Sequence, residues 1–87
     1  MAANFNPLTI ILRVKVREAL NFSPGYPKTE AMVLQIVNQL VGGGVDIQEL
    51  RDAMEWNLTH RFIRSEKDDD KQVLWYITEA GIAQQRI

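Results

Sequence analysis

The run Lys67-Asp68-Asp69-Asp70-Lys71 is the first place in this chain where neighbouring side chains suggest chemistry. Three adjacent carboxylates hint at a divalent-cation loop. An EF-hand loop, however, sets its ligands at alternating positions around an internal glycine and closes on a glutamate. That pattern is absent, so the run reads as a solvated hairpin turn. His60 is the only histidine. A lone histidine behind a helix reads as a partner for the C-terminal dipole rather than as a catalyst. No second metal ligand, nucleophile elbow, phosphate loop or paired nucleophile and base accompanies it. Gly42-Gly43-Gly44 precedes a helix, but Asp46 at that helix start argues for a connector over an anion cradle. The expectation is a protein with no catalytic residues, no metal and no cofactor, hence not an enzyme.

These residues must be carried by one small domain, since the chain has 87 residues. It has no cysteine, which removes disulfides and fits a reducing compartment. Ten basic and eleven acidic residues leave a formal charge of −1. A dedicated duplex binder normally shows a basic stripe, and the totals show none. No segment approaches the roughly 20 apolar residues of a membrane span. The start MAANFNPL lacks the basic opening of a secretion signal. These features predict a cytoplasmic protein with no membrane partner, residues 1–6 as a tail and 7–87 as a single folded unit.

Asn6-Pro7 is a helix-start signal. Phe5, Leu8, Leu12, Val16 and Ala19 share one helical stripe, while Ile10-Ile11-Leu12 and the alternation over 12–16 favour a strand. Arg17-Glu18-Ala19-Leu20 continues the helical stripe, so the reading is a helix over Pro7–Phe22. Ser23-Pro24-Gly25-Tyr26-Pro27 ends it. Thr29 caps a second helix, Glu30–Val41, with Gln35, Asn38 and Gln39 facing outward, and the three glycines stop it. Asp46 and Glu49 form an acidic capping box for a third helix, Ile47–His60. Phe62–Glu66 and Gln72–Ile77 read as strands, and Thr78 caps a last helix, Glu79–Arg86. A small third strand is expected near Gly25–Lys28. The predicted core is Leu12, Val16, Leu20, Val33, Ile36, Val37, Leu40, Val45, Ile47, Leu50, Met54, Leu58, Ile63, Trp75 and Ile77.

The order of helix, helix, tight turn, helix, hairpin, helix resembles the winged helix-turn-helix superfamily. The hairpin exit adds detail. MarR-type members end the wing with an Asp, two basic residues, a short variable stretch and then aliphatic-Thr-x-x-Gly. Ile77-Thr78-Glu79-Ala80-Gly81 matches the last part, Asp69 stands at the Asp position and Lys71 at the second basic one. Asp70 occupies the first basic position, a departure. The resemblance implies a mainly α fold with a small β-hairpin: a three-helix bundle, a wing and a short C-terminal helix. It also implies that the third helix enters the major groove while the wing, through Lys67 and Lys71, meets the backbone.

Two functional classes follow. One is a DNA-binding transcriptional regulator, dimeric, contacting double-stranded DNA through Gln48, Arg51, Asn57, Lys67 and Lys71. The alternative is a protein-interaction or assembly module without DNA binding. If Ile47 points inward, a 100° step per residue turns Glu49, Asp52, Trp56, Thr59 and His60 outward. Two carboxylates there repel phosphate, and an exposed Trp56 suits a protein anchor; Trp56 packed under the wing or last helix is the competing reading. Ile10 and Val14 lie opposite Leu12 and Val16, so they face either a second chain or the last helix of the same chain. Arg13, Lys15 and Arg17 form the densest basic cluster and are a candidate phosphate-facing edge.

Overall fold

The computed structural model describes residues 7–86. The expected tail over residues 1–6, with Phe5, lies outside the described residues. The elements run α1 (Pro7–Asn21), α2 (Glu30–Val41), α3 (Ile47–Thr59), β1 (Ile63–Lys67), β2 (Val73–Ile77) and α4 (Glu79–Gln85).

The helix boundaries have local causes. α2 starts where the Thr29 hydroxyl accepts the Met32 N–H at 3.2 Å. It stops at Gly42, whose φ of +89° is left-handed. α3 begins with a reciprocal capping box. Asp46 Oδ1 accepts the Glu49 N–H at 2.8 Å, and Glu49 Oε1 accepts the Asp46 N–H at 3.2 Å. Between α2 and α3, Asn38 does not face outward as its place on the wheel suggests. Its Oδ1 accepts the Val45 N–H at 2.9 Å and its Nδ2 donates to the Leu34 carbonyl at 3.1 Å, so it moulds the glycine turn.

The core is one cluster drawn from α1 (Leu12, Val16, Ala19, Leu20), α2 (Val33, Val37), α3 (Leu50, Ala53, Met54) and the base of the hairpin (Ile63, Ile77), with Val45 closing one end. Ile36 and Trp75 are only partly buried against it. Ile47 and Leu58, expected inside, are 37% and 40% exposed. The inward face of α3 is centred on Leu50, Ala53, Met54 and Asn57, which rotates the helix away from the setting that an inward Ile47 would impose.

β1 and β2 pair antiparallel, Ile63 opposite Ile77 and Lys67 opposite Val73. The expected third strand is a single bridge, Lys28 opposite Trp75, with Lys28 N–H to Trp75 O at 3.0 Å and Trp75 N–H to Lys28 O at 2.8 Å. It ties the α1–α2 loop to the wing. The Lys28 side chain is buried and its Nζ meets no hydrogen-bond partner among the described residues. Burial lowers its pKa from the ordinary lysine value. Lys28→Met should therefore raise stability by about 1–3 kcal/mol, the penalty for an unsatisfied buried polar group. In the native chain the unfolded state holds this proton more firmly, so native stability climbs as pH rises from the depressed value toward the ordinary one. The advantage of the methionine variant should shrink as pH rises across that window. Thermal melts at pH 7 and pH 10 check both points; a methionine variant less stable at pH 7 would contradict the assignment.

The α3–β1 corner and the start of α4 form one joint. Arg61 turns the chain with φ of +62°. The Phe62 N–H donates to the Asn57 carbonyl at 2.9 Å, and the Phe62 carbonyl accepts the Thr78 N–H at 3.0 Å. The Thr78 hydroxyl donates to the Arg61 carbonyl at 2.7 Å and accepts the Gly81 N–H at 3.1 Å. The threonine thus caps α4 and pins it to the end of α3. The glycine is there for space: a Cβ at 81 would stand 2.1 Å from the Phe62 carbonyl oxygen.

Candidate nucleic-acid interface

With Leu50, Ala53, Met54 and Asn57 inward, α3 presents Gln48, Arg51, Asp52, Glu55, Leu58 and Thr59 outward. This row begins at the capping box and is flanked by the start of α2 and by the wing. Arg51 makes a bidentate pair with Glu30 of α2, Nε to Oε2 at 3.1 Å and Nη2 to Oε1 at 3.0 Å. The hydrogen bond and charge of Glu30 raise the Arg51 pKa above its ordinary value. Gln48 Nε2 donates to Asp52 Oδ1 at 2.9 Å, one turn along the same helix. Both pairs lie at the surface, where water competes and an exchange of partners costs little.

Asn57 corrects the sequence expectation. The sequence suggests a DNA contact at this position, yet the exposure of Asn57 is 0%. Its Oδ1 accepts from Arg17 Nη1 at 2.9 Å, and its Nδ2 donates to the Arg13 carbonyl at 3.0 Å and the Ala53 carbonyl at 2.9 Å. No capacity is left for a base. Arg17, also buried, donates from Nε to Gln85 Oε1 at 2.9 Å and lies over the Phe62 ring at 5.2 Å. Loss of solvent lowers its pKa. Among the described residues the partners of this buried cation are neutral amides and a ring face, with no carboxylate among them.

The basic cluster of α1 therefore does not form a phosphate-facing edge. Arg17 is inside, Arg13 stands over the Trp56 ring at 4.6 Å, and Lys15 is paired with Glu18 at 2.8 Å. Trp56 is half-buried between α1 and the α3–β1 corner rather than on the outer row. Its ring stacks on His60 at 3.8 Å and lies 5.9 Å from Phe62. His60 Nδ1 is 2.8 Å from the Trp56 carbonyl, which can only accept, so that nitrogen carries the hydrogen. Ile10 and Val14 do not pack away; both are exposed, with Ile11 beside them.

At the wing tip the first aspartate of the acidic run is structural. Asp68 Oδ1 accepts the N–H groups of Asp70 and Gln72, each at 2.9 Å. Lys71 takes the left-handed φ of +63° and donates its N–H to the Asp68 carbonyl at 2.9 Å. Lys67 and Lys71 are exposed, with Asp69 and Asp70 between them. On the strands behind, Arg64 pairs with Glu66 and covers the Tyr76 ring at 4.1 Å. Among the described residues no group of three or more His, Cys, Asp and Glu side chains is arranged to hold a metal ion. No described helix is long and apolar enough to cross a membrane.

No protein-family model matches the sequence, and no curated protein matches it. Two solved structures resemble it in three dimensions. A MarR-family transcriptional regulator from Silicibacter pomeroyi superposes with a TM-score of 0.72 at 17% identity, covering 86% of this chain and 46% of that one. The chain thus spans less than half the length of that regulator. SSV1 F-93 superposes with a TM-score of 0.67 at 14% identity, covering 99% of this chain and 90% of its own. At such identities the likeness speaks of architecture, and the architecture is a winged helix-turn-helix: three helices, a two-stranded wing and a short helix docked behind it.

Proposed function

We propose that this chain is a DNA-binding regulator of the winged-helix type that lays the outer row of α3 against duplex DNA and steadies it with the wing. The observation that carries the reading is the presentation of Gln48 and Arg51. They sit one turn from the start of an exposed α3, both have the donors that read base edges, and both are held only by surface partners. Lys67 and Lys71 stand at the wing tip, free to meet phosphate. Neither catalytic role nor cofactor belongs to this reading.

Charge makes the reading specific. Arg51, Lys67 and Lys71 are the cations this docking brings to the duplex, so the plot of log affinity against log salt should have a slope of about −3. Fluorescence anisotropy with a randomised duplex pool, enriched by successive selection and titrated over a salt series, measures this. Lys67→Ala with Lys71→Ala should make the slope shallower by about 2 and weaken all duplexes alike. Arg51→Ala should flatten the preference among duplexes. Failure of any duplex to bind at low salt would end the proposal.

One observation favours a second reading, a protein-interaction or assembly module. The outer row carries Asp52 and Glu55, Arg51 already has a carboxylate, and the wing tip adds Asp69 and Asp70. A surface so balanced suits a partner with its own mixed charges better than a polyanion. The salt series separates the two readings.

A further inference from the structure

We propose that Glu30 is a positioning residue that fixes Arg51 as a reader of guanine in the major groove. This inference rests on the DNA reading and names the base that the outer row of α3 selects. An arginine carries its N–H donors in a rigid planar fork. Glu30 occupies one edge of that fork, with Nε to Oε2 at 3.1 Å and Nη2 to Oε1 at 3.0 Å. The end of the fork stays open, where an N–H of Nη1 and the second N–H of Nη2 run parallel. Two parallel donors match O6 and N7 of guanine, the one base edge in the major groove with two adjacent acceptors. Arg51 thus meets a base without giving up Glu30.

The pair gives direction as well as neutrality. Its two side chains come from different helices, Glu30 from the first turn of α2 and Arg51 from α3. A lone arginine holds many rotamers, and ordering it on a base costs entropy. Clamped by two hydrogen bonds to a second helix, Arg51 has lost much of that freedom beforehand. Side-chain exposure is 56% for Arg51 and 32% for Glu30, so the arginine is the more open of the two to an incoming base. Asp52 holds Gln48 in a similar manner, taking one amide N–H and leaving the other beside Oε1. Glu30 and Asp52, which a charge count treats as repulsive, each grip a donor.

A surface ion pair without a role in recognition has a different signature. Removing Glu30 would then only take away a negative charge, and every duplex would bind more tightly by the same factor. A positioning role makes the two effects diverge. Binding to arbitrary duplexes tightens while the choice among them deteriorates.

Fluorescence anisotropy on the duplex enriched from the randomised pool tests it, with each guanine replaced in turn by 7-deazaguanine. That analogue pairs normally but lacks the N7 acceptor. At one guanine of the bound site the native chain should lose about tenfold in affinity. Glu30→Gln should shrink that loss below about threefold, and should bind a duplex of arbitrary sequence about twofold more tightly than the native chain does. Arg51→Lys keeps the charge and loses the fork, so it should show no sensitivity to the analogue while keeping the salt slope. Both substitutions lie at the surface and should leave the melting temperature within about 3 °C of the native value, so lost discrimination is not lost folding. An enriched duplex in which no guanine is sensitive, or a Glu30→Gln variant that keeps the full tenfold loss, would overturn this inference and leave DNA binding standing. Absence of binding to any duplex would overturn both.

Discussion

Gly81→Ala is expected to remove a large share of the stability of this protein. Inside a helix that exchange ordinarily helps, by about 0.5–1 kcal/mol. Here the new Cβ would stand 2.1 Å from the Phe62 carbonyl oxygen, 2.8 Å from Ile77 Cγ1 and 3.0 Å from the Phe62 carbonyl carbon. Two of these three atoms are backbone and cannot rotate away. Phe62 is fixed on both sides, by its N–H to Asn57 and its carbonyl to Thr78. α4 must lift off the corner, which strains the Thr78 cap and the bond from Arg17 to Gln85. Overpacking ordinarily costs about 1–3 kcal/mol, and a clash with backbone that has no room to relax lies at or above the top of that range. A domain of this size has about 5–10 kcal/mol in all. Urea unfolding followed by circular dichroism gives the value. A melting temperature within about 3 °C of the native chain would mean that α4 is not clamped to the corner.

Asn57→Leu should be nearly as severe, although it swaps one buried side chain for another of similar size. It removes the acceptor for Arg17 Nη1 and leaves the Arg13 carbonyl without its side-chain donor. Stripping a hydrogen bond from a buried charged group costs about 1.5–3 kcal/mol, and more where nothing replaces it. The informative companion is the double variant Arg17→Met/Asn57→Leu, in which both ends of the contact become apolar. Such paired replacement is often neutral or better, so it should recover more than half of the loss. A single substitution costing less than about 1 kcal/mol, or a double variant worse than the single one, would show that the network is incidental.

Much of the fold was legible because its punctuation is local. Thr29, Asp46 with Glu49, and Thr78 each cap the helix they precede, and the glycine run ends α2. Such signals need only a few neighbouring residues, so the boundaries fall within a residue or so of where the sequence places them. The rotation of α3 was not legible. Periodicity weighs large apolar side chains, and Ile47 and Leu58 drew the inward face toward themselves. The actual inward face uses Ala53 and Asn57, one small and one polar. Asn57 can go inside only because the Arg17 guanidinium and the Arg13 carbonyl, both from α1, meet it from far away in the chain, and no local pattern announces that. The error carried over to the site. It put Asn57 on the DNA side and Trp56 on the outer row, while Gln48 and Arg51 stand at the surface under either setting.

The acidic wing tip has a consequence beyond its charge. Asp68 ties down two backbone N–H groups and so moulds the turn before anything touches it. Lys67 and Lys71 leave that mould from fixed backbone positions. A loop already in shape has no ordering entropy to lose on contact. An acid at the wing tip is thus what spares the wing from having to freeze, and a flexible tip would forfeit that advantage even with the same two lysines.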